Sequence, residues 1–136
     1  CAPGVCGSPA ASSGDGHHYL KMSGHEVFKV AVAIMCEATR QTVAAAGVGI
    51  DDIDLFVPHQ ANERIIKAAA RNLGLPDEKV FLNVERYGNT SAASIPIALC
   101  EAVEQGRLRE GTDVMLVGFG AGLTWAAMLL RWGGGV

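Results

Sequence analysis

Three residues, Gly120-Ala121-Gly122, are all that separates the apolar run 113–119 from the apolar run 123–132. Each run is continuous enough in Val, Leu, Met, Phe and Trp to predict a buried strand. A turn this short returns the chain antiparallel, because a parallel return needs a crossover of a dozen or more residues. Upstream, the chain supplies crossovers of that length. Short strands are expected over 19–22, 54–57 and 80–84, with helical periodicity between them. Val27, Val30, Ala31, Ile34, Ala38 and Val43 recur at helical spacing up to Gly47, a C-terminal stop. A second helix is expected over 61–72, closed by Gly74 and Pro76, and a third over 91–105, ended by Gly106. The order is βαβαβαββ. It predicts an α/β fold whose sheet is mostly parallel with one antiparallel edge strand, with helices on both faces.

At 136 residues the chain has the size of one domain with one core. The net charge of −3 provides no basic field for nucleic acid or for an anionic membrane surface. No apolar run reaches the length of a membrane span. Residues 1–18 read as a flexible or incomplete N-terminal segment, since 1–16 are rich in Gly, Ser, Ala and Pro. Residues 19–136 read as the domain. The first residues lack the basic and apolar regions of a signal peptide, and the absence of an initiator Met leads us to expect a chain cut from something longer. Cys1, Cys6, Cys36 and Cys100 have no His or Cys partners at metal-binding spacing. They are expected to be reduced thiols of a cytoplasmic protein, and His17 and His18 to be solvated. No metal site is expected.

Two segments carry the candidate chemistry. Pro58-His59-Gln60-Ala61-Asn62 and Tyr87-Gly88-Asn89-Thr90-Ser91-Ala92-Ala93-Ser94-Ile95-Pro96 each follow an apolar run and precede a helix. In a parallel sheet the active crevice lies at the carboxyl ends of the strands, where His59, Asn89 and the 120–122 turn all fall. A neutral imidazole and a side-chain amide can donate two hydrogen bonds to one oxygen, which suits an enolate or oxyanion. The bland alternatives are a capping or core histidine and a turn asparagine at a helix start.

These segments together resemble the C-terminal half of a β-ketoacyl-acyl-carrier-protein synthase III, the initiating ketosynthase of fatty-acid synthesis, built on the thiolase fold. The likeness rests on residues 54–65, 83–96 and 118–125 and includes Gly24-His25-Glu26-Val27-Phe28-Lys29-Val30-Ala31-Val32. Starter ketosynthases of polyketide pathways are similar to this pattern nearly as well. The resemblance implies a thiolase-like half and a decarboxylative Claisen condensation of an acyl-CoA starter with malonyl-acyl-carrier protein. It implies no cofactor beyond these substrates. It implies that His59 and Asn89 hold the malonyl thioester oxygen, and that Asn62 contacts the pantetheine arm. Phe119, Gly120 and Ala121 would form the oxyanion and active-site wall. Arg64, Lys67, Arg71 and Lys29 would dock the acidic carrier protein. For this basic stripe the alternative is an ordinary solvated helix face.

The nucleophile is what the resemblance does not supply. The family's Cys sits at the N-terminus of a buried helix, a placement that lowers its pKa, and none of the four cysteines here has that setting. The expectation is therefore one thiolase-like half, with the Cys in an N-terminal half and a homodimer in the complete enzyme. The rival is a non-catalytic half-domain acting as a partner or carrier-protein scaffold. A single half is also expected to expose a helix face meant for burial. The apolar helix over 27–43 is the candidate for that face.

Overall fold

The computed structural model describes residues 24–120, 122 and 124–133. Residues 1–18, the strand expected over 19–22, and Ala121 lie outside the described residues. The chain runs through α1 (Gly24–Ala45), β1 (Leu55–Pro58), α2 (Glu63–Leu73), α3 (Val84–Tyr87), α4 (Ser94–Glu104), β2 (Asp113–Gly120) and β3 (Thr124–Arg131). Single 3-10 turns fall at Ile50–Asp52, Asp77–Lys79 and Ser91–Ala93.

The sheet order is β1-β2-β3. Strand β1 pairs parallel with β2, and β2 pairs antiparallel with β3 in a register from Asp113↔Arg131 to Gly120↔Thr124. The short glycine turn thus produces the expected antiparallel edge. Alternation along the strands sorts the core into two layers. Phe56, Met115 and Val117 face one way and pack with Met35, Ile65, Ile66 and Ala69 of α1 and α2. Leu55, Val57 and Val114 face the other way and pack with Ala98 and Ala102 of α4. Helices therefore cover both faces. Phe56 is fully buried, and truncating such a side chain to Ala costs about 3–5 kcal/mol.

Local signals explain the helix ends. Asn62 caps α2, its Oδ1 accepting from the Arg64 N–H at 2.9 Å. Gly74 closes α2 at φ +76, a left-handed position that favours glycine.

The strand expected over 80–84 shortens to a single parallel bridge, Phe56↔Val80. Side chains replace the rest of the ladder. Gln60 Nε2 donates to the Phe81 carbonyl at 3.1 Å, and Gln60 Oε1 accepts from the Asn83 N–H at 3.0 Å. Arg107 Nη2 donates to the Val80 carbonyl at 3.2 Å. Side chains thus take several of the backbone bonds that a longer ladder with β1 would make, and the chain turns at once into α3.

Helix α1 buries Ala31, Val32, Met35, Cys36, Ala38 and Val43 and leaves Val30 exposed. The most exposed large apolar side chains among the described residues lie on β3, where Trp125 is 49% and Met128 57% exposed, on opposite faces of the strand. A groove of about 470 Å³ runs along the hairpin, between Ile95 at the start of α4 and Leu116, Gly118, Thr124 and Met128.

Candidate active site

His59 is the first residue beyond β1, at the carboxyl end of the parallel pair. Its amide donates to the Val117 carbonyl at 2.7 Å, which prolongs the ladder by one bond and fixes where the imidazole starts. Phe119, two residues further along β2, meets the ring edge-on, with centroids 5.7 Å apart and planes at 73°. The imidazole is half-buried, and burial pushes its pKa below the ordinary value of 6.5. Desolvation thus favours the neutral ring.

On its other side the ring meets Ser94, the first residue of α4. Ser94 Oγ lies 2.6 Å from His59 Nδ1, and the Gln60 N–H donates to the same oxygen at 3.3 Å. Spacing does not single out Ser94. Its signal is a hydroxyl at the head of a helical stripe whose other buried members are Ala98, Glu101 and Ala102. Gln60 is equally silent in the sequence, yet it is buried and joins β1, the 80–83 segment and Ser94.

Asn89 lies in the turn between α3 and the Ser91–Ala93 turn. Its Oδ1 accepts from the Ser91 N–H at 2.9 Å, an Asx turn. The turn is conformationally demanding. Gly88 has φ +67 and ψ −161, and Ser91 is a non-glycine residue at φ +52. Such torsions cost about 1–3 kcal/mol each and persist where the surroundings hold them.

The other expected site residues are placed as follows. Gly120 ends β2, exposed, and pairs with Thr124. Asn62 is exposed, and its carbonyl oxygen is committed to the α2 cap. Arg64 and Arg71 are exposed on the side of α2 away from buried Ile65, Ile66, Ala69 and Ala70. Lys67 lies between them and pairs with Glu63 at 2.6 Å, so its charge is locally matched. Lys29 is exposed on α1. Of the cysteines, Cys36 is buried with its thiol directed at the Ala69 carbonyl, and burial pushes its pKa up, against the field of Arg40. Cys100 is exposed in the second half of α4. Cys1 and Cys6 lie outside the described residues.

The comparisons with known proteins agree on one group. The family described as the C-terminal part of 3-oxoacyl-[acyl-carrier-protein] synthase III matches residues 43–132. A β-ketoacyl-[acyl-carrier-protein] synthase III of Symbiobacterium thermophilum is 60% identical over 118 residues, which is 87% of this chain and 36% of that protein. The solved structure of the Thermus thermophilus synthase III is 63% identical with a TM-score of 0.82, covering 85% of this chain and 36% of that one. The priming β-ketosynthase of the R1128 polyketide pathway is 41% identical with a TM-score of 0.72, covering 82% of this chain and 34% of that one. The chain thus spans little more than a third of the length of these relatives. It belongs to the C-terminal domain family of the 3-oxoacyl-[acyl-carrier-protein] synthases III.

Proposed function

We propose that this domain supplies the decarboxylation half of a ketosynthase III site in a longer protein. That protein would condense an acyl-CoA starter with malonyl-acyl-carrier protein in the cytoplasm. The observation that carries the reading is His59, held neutral between Phe119 and Ser94 at the carboxyl end of a parallel strand. In this reading the Ser94 oxygen accepts from the Gln60 N–H and its hydroxyl donates to His59 Nδ1. The imidazole proton then sits on Nε2, where it can donate. Asn89, its oxygen tied to Ser91, offers its NH2 beside it. Together they hold the malonyl thioester oxygen. The bond from the α-carbon to the carboxylate breaks, CO₂ leaves, and the electron pair spreads onto that oxygen as an enolate. The α-carbon then attacks the acyl-thioester carbon and expels a Cys thiolate, which belongs to the remainder of the protein. Phe119 and the 120–122 turn wall the reacting centre. Asn62 contacts the pantetheine arm through its amide NH2. Arg64 and Arg71, with Lys67 and Lys29, receive the carrier protein.

The test is made in the complete enzyme. His59→Ala and Asn89→Ala should each slow malonyl decarboxylation by about 10²–10³, as loss of one oxyanion donor does, while acylation of the Cys stays within a few-fold. Equal loss of both half-reactions in folded protein would overturn the assignment. The setting of Cys36 favours a corollary. The chain alone should not transfer labelled acetyl from acetyl-CoA to any of its cysteines at a turnover rate.

A further inference from the structure

Helix α3 is a single turn of four residues and buries none of them. Its own backbone bonds are few: Arg86 N–H and Tyr87 N–H both donate to the Asn83 carbonyl, and Gly88 N–H donates to Val84. A helix this short is not self-sustaining, and none of its residues is anchored by full burial. Yet it leads directly into Gly88 and Asn89.

One carboxylate grips it. Glu101, in the third turn of α4, is only 7% exposed. Its Oε2 accepts from Asn83 Nδ2 at 2.8 Å, its Oε1 accepts from the Tyr87 hydroxyl at 2.8 Å, and Arg86 Nη1 closes on Oε1. Three donors from one five-residue stretch converge on one acidic group. On a stripe otherwise made of Ser94, Ala98 and Ala102, an apolar side chain would pack at lower cost than a charge. Ser94 lies seven residues earlier on the same buried stripe, two turns along the helix. The stripe of α4 therefore holds His59 at one end and the approach to Asn89 at the other.

We infer that Glu101 is a positioning residue for the enolate site: through Asn83, Arg86 and Tyr87 it fixes the Asn89 amide relative to the His59 imidazole that Ser94 holds. The inference rests on the reading of His59 and Asn89 given above. It adds that α4, beside the sheet that carries His59, sets their mutual placement. A displacement of 1 Å at a reacting centre can cost about 10²-fold in rate.

The experiment compares Glu101→Ala, Glu101→Gln and Tyr87→Phe in the complete enzyme. Release of labelled CO₂ from malonyl-carrier protein and acylation of the Cys are followed in the same preparations. Glu101→Ala should slow decarboxylation by about 10–10² through kcat, with KM changed less than threefold and acylation within twofold. Glu101→Gln keeps one acceptor oxygen, enough for Tyr87, but turns the oxygen that serves Asn83 into an NH2 donor, so it should restore the rate only in part. Tyr87 is largely exposed, and Tyr87→Phe provides a milder variant should Glu101→Ala fail to fold. It should slow decarboxylation alone, by a few-fold. Parallel loss of both half-reactions in Tyr87→Phe or Glu101→Gln, or an unchanged decarboxylation rate in folded Glu101→Ala, would overturn the inference. If His59→Ala and Asn89→Ala also leave decarboxylation intact, the functional reading itself is at fault. If they abolish it, only the role of Glu101 is.

Discussion

Ser94 Oγ and His59 Nδ1 stand 2.6 Å apart across 35 positions of sequence. The contact couples the start of α4 to the end of β1, and in the proposed site the hydroxyl donates to Nδ1 and leaves the ring proton on Nε2.

Removing that hydroxyl should therefore change the tautomer before it changes the fold. In Ser94→Ala the neutral ring of His59 loses its reason to keep the proton on Nε2. The ¹⁵N spectrum of His59 should shift from the Nε2–H form to a mixture. Decarboxylation in the complete enzyme should fall roughly two- to tenfold, the worth of one neutral hydrogen bond of about 0.5–1.5 kcal/mol. An unchanged tautomer would show that Ser94 only packs.

Acid should act on the same ring. Burial lowers the His59 pKa from 6.5, so the folded chain binds this proton more weakly than the unfolded chain. The contribution to stability is complete above pH 6.5, declines as pH falls through 6.5, and levels off below the folded-state value. The acid limb of decarboxylation should correspondingly lie below pH 6.5, and His59→Gln should remove that titration. Activity lost as pH rises through the His59 titration would mean that the imidazole works as a cation.

On the basic face of α2 the residues are not equivalent. Arg64 forms no ion pair among the described residues, whereas Lys67 is already paired with Glu63. Arg64→Glu should weaken use of malonyl-carrier protein severalfold more than use of malonyl-CoA. Lys67→Ala should do less. The Arg64 effect should shrink as salt rises, since exposed charges are screened over about 8–10 Å near physiological ionic strength. Equal loss with both substrates would remove this face from the docking surface.

The uncovered hairpin predicts how the domain behaves by itself. With Trp125 and Met128 exposed beside the apolar groove, the chain expressed alone should self-associate in light scattering as its concentration rises. The double variant Trp125→Lys, Met128→Lys should reduce this, whereas Val30→Lys on α1 should not. A concentration-independent monomer would show that this hairpin tolerates water.

What the sequence makes legible is what depends on local period and turn length. The 120–122 turn dictates the antiparallel hairpin, and Gly74 marks the end of α2, because each works through its own backbone. His59 and Asn89 are legible because their residue types are informative at strand ends. The segment 80–84 misleads for a physical reason. Its apolar residues suit a strand, but whether a ladder forms depends on Gln60, which lies some twenty residues away and takes the bonds a strand would have made. Ser94 and Glu101 escape for the same reason, since their partners are 35 residues off in one case and 14 to 18 in the other. Helical periodicity shows how apolar α1 is, but not which of its residues α2 covers, nor that Trp125 and Met128 of β3 are the more exposed.

The glutamine that stands in for a strand also governs how the sheet can end. On the outer side of β1 the Phe56 carbonyl is taken by the Phe81 N–H at 2.9 Å, and the Pro58 carbonyl by Gln60 Nε2 at 2.9 Å. Among the described residues β3 forms the other edge of the sheet. A fibril grows by adding strands at both sides of every molecule. A sheet stoppered at β1 offers no place there for an added strand, so that side cannot carry such growth.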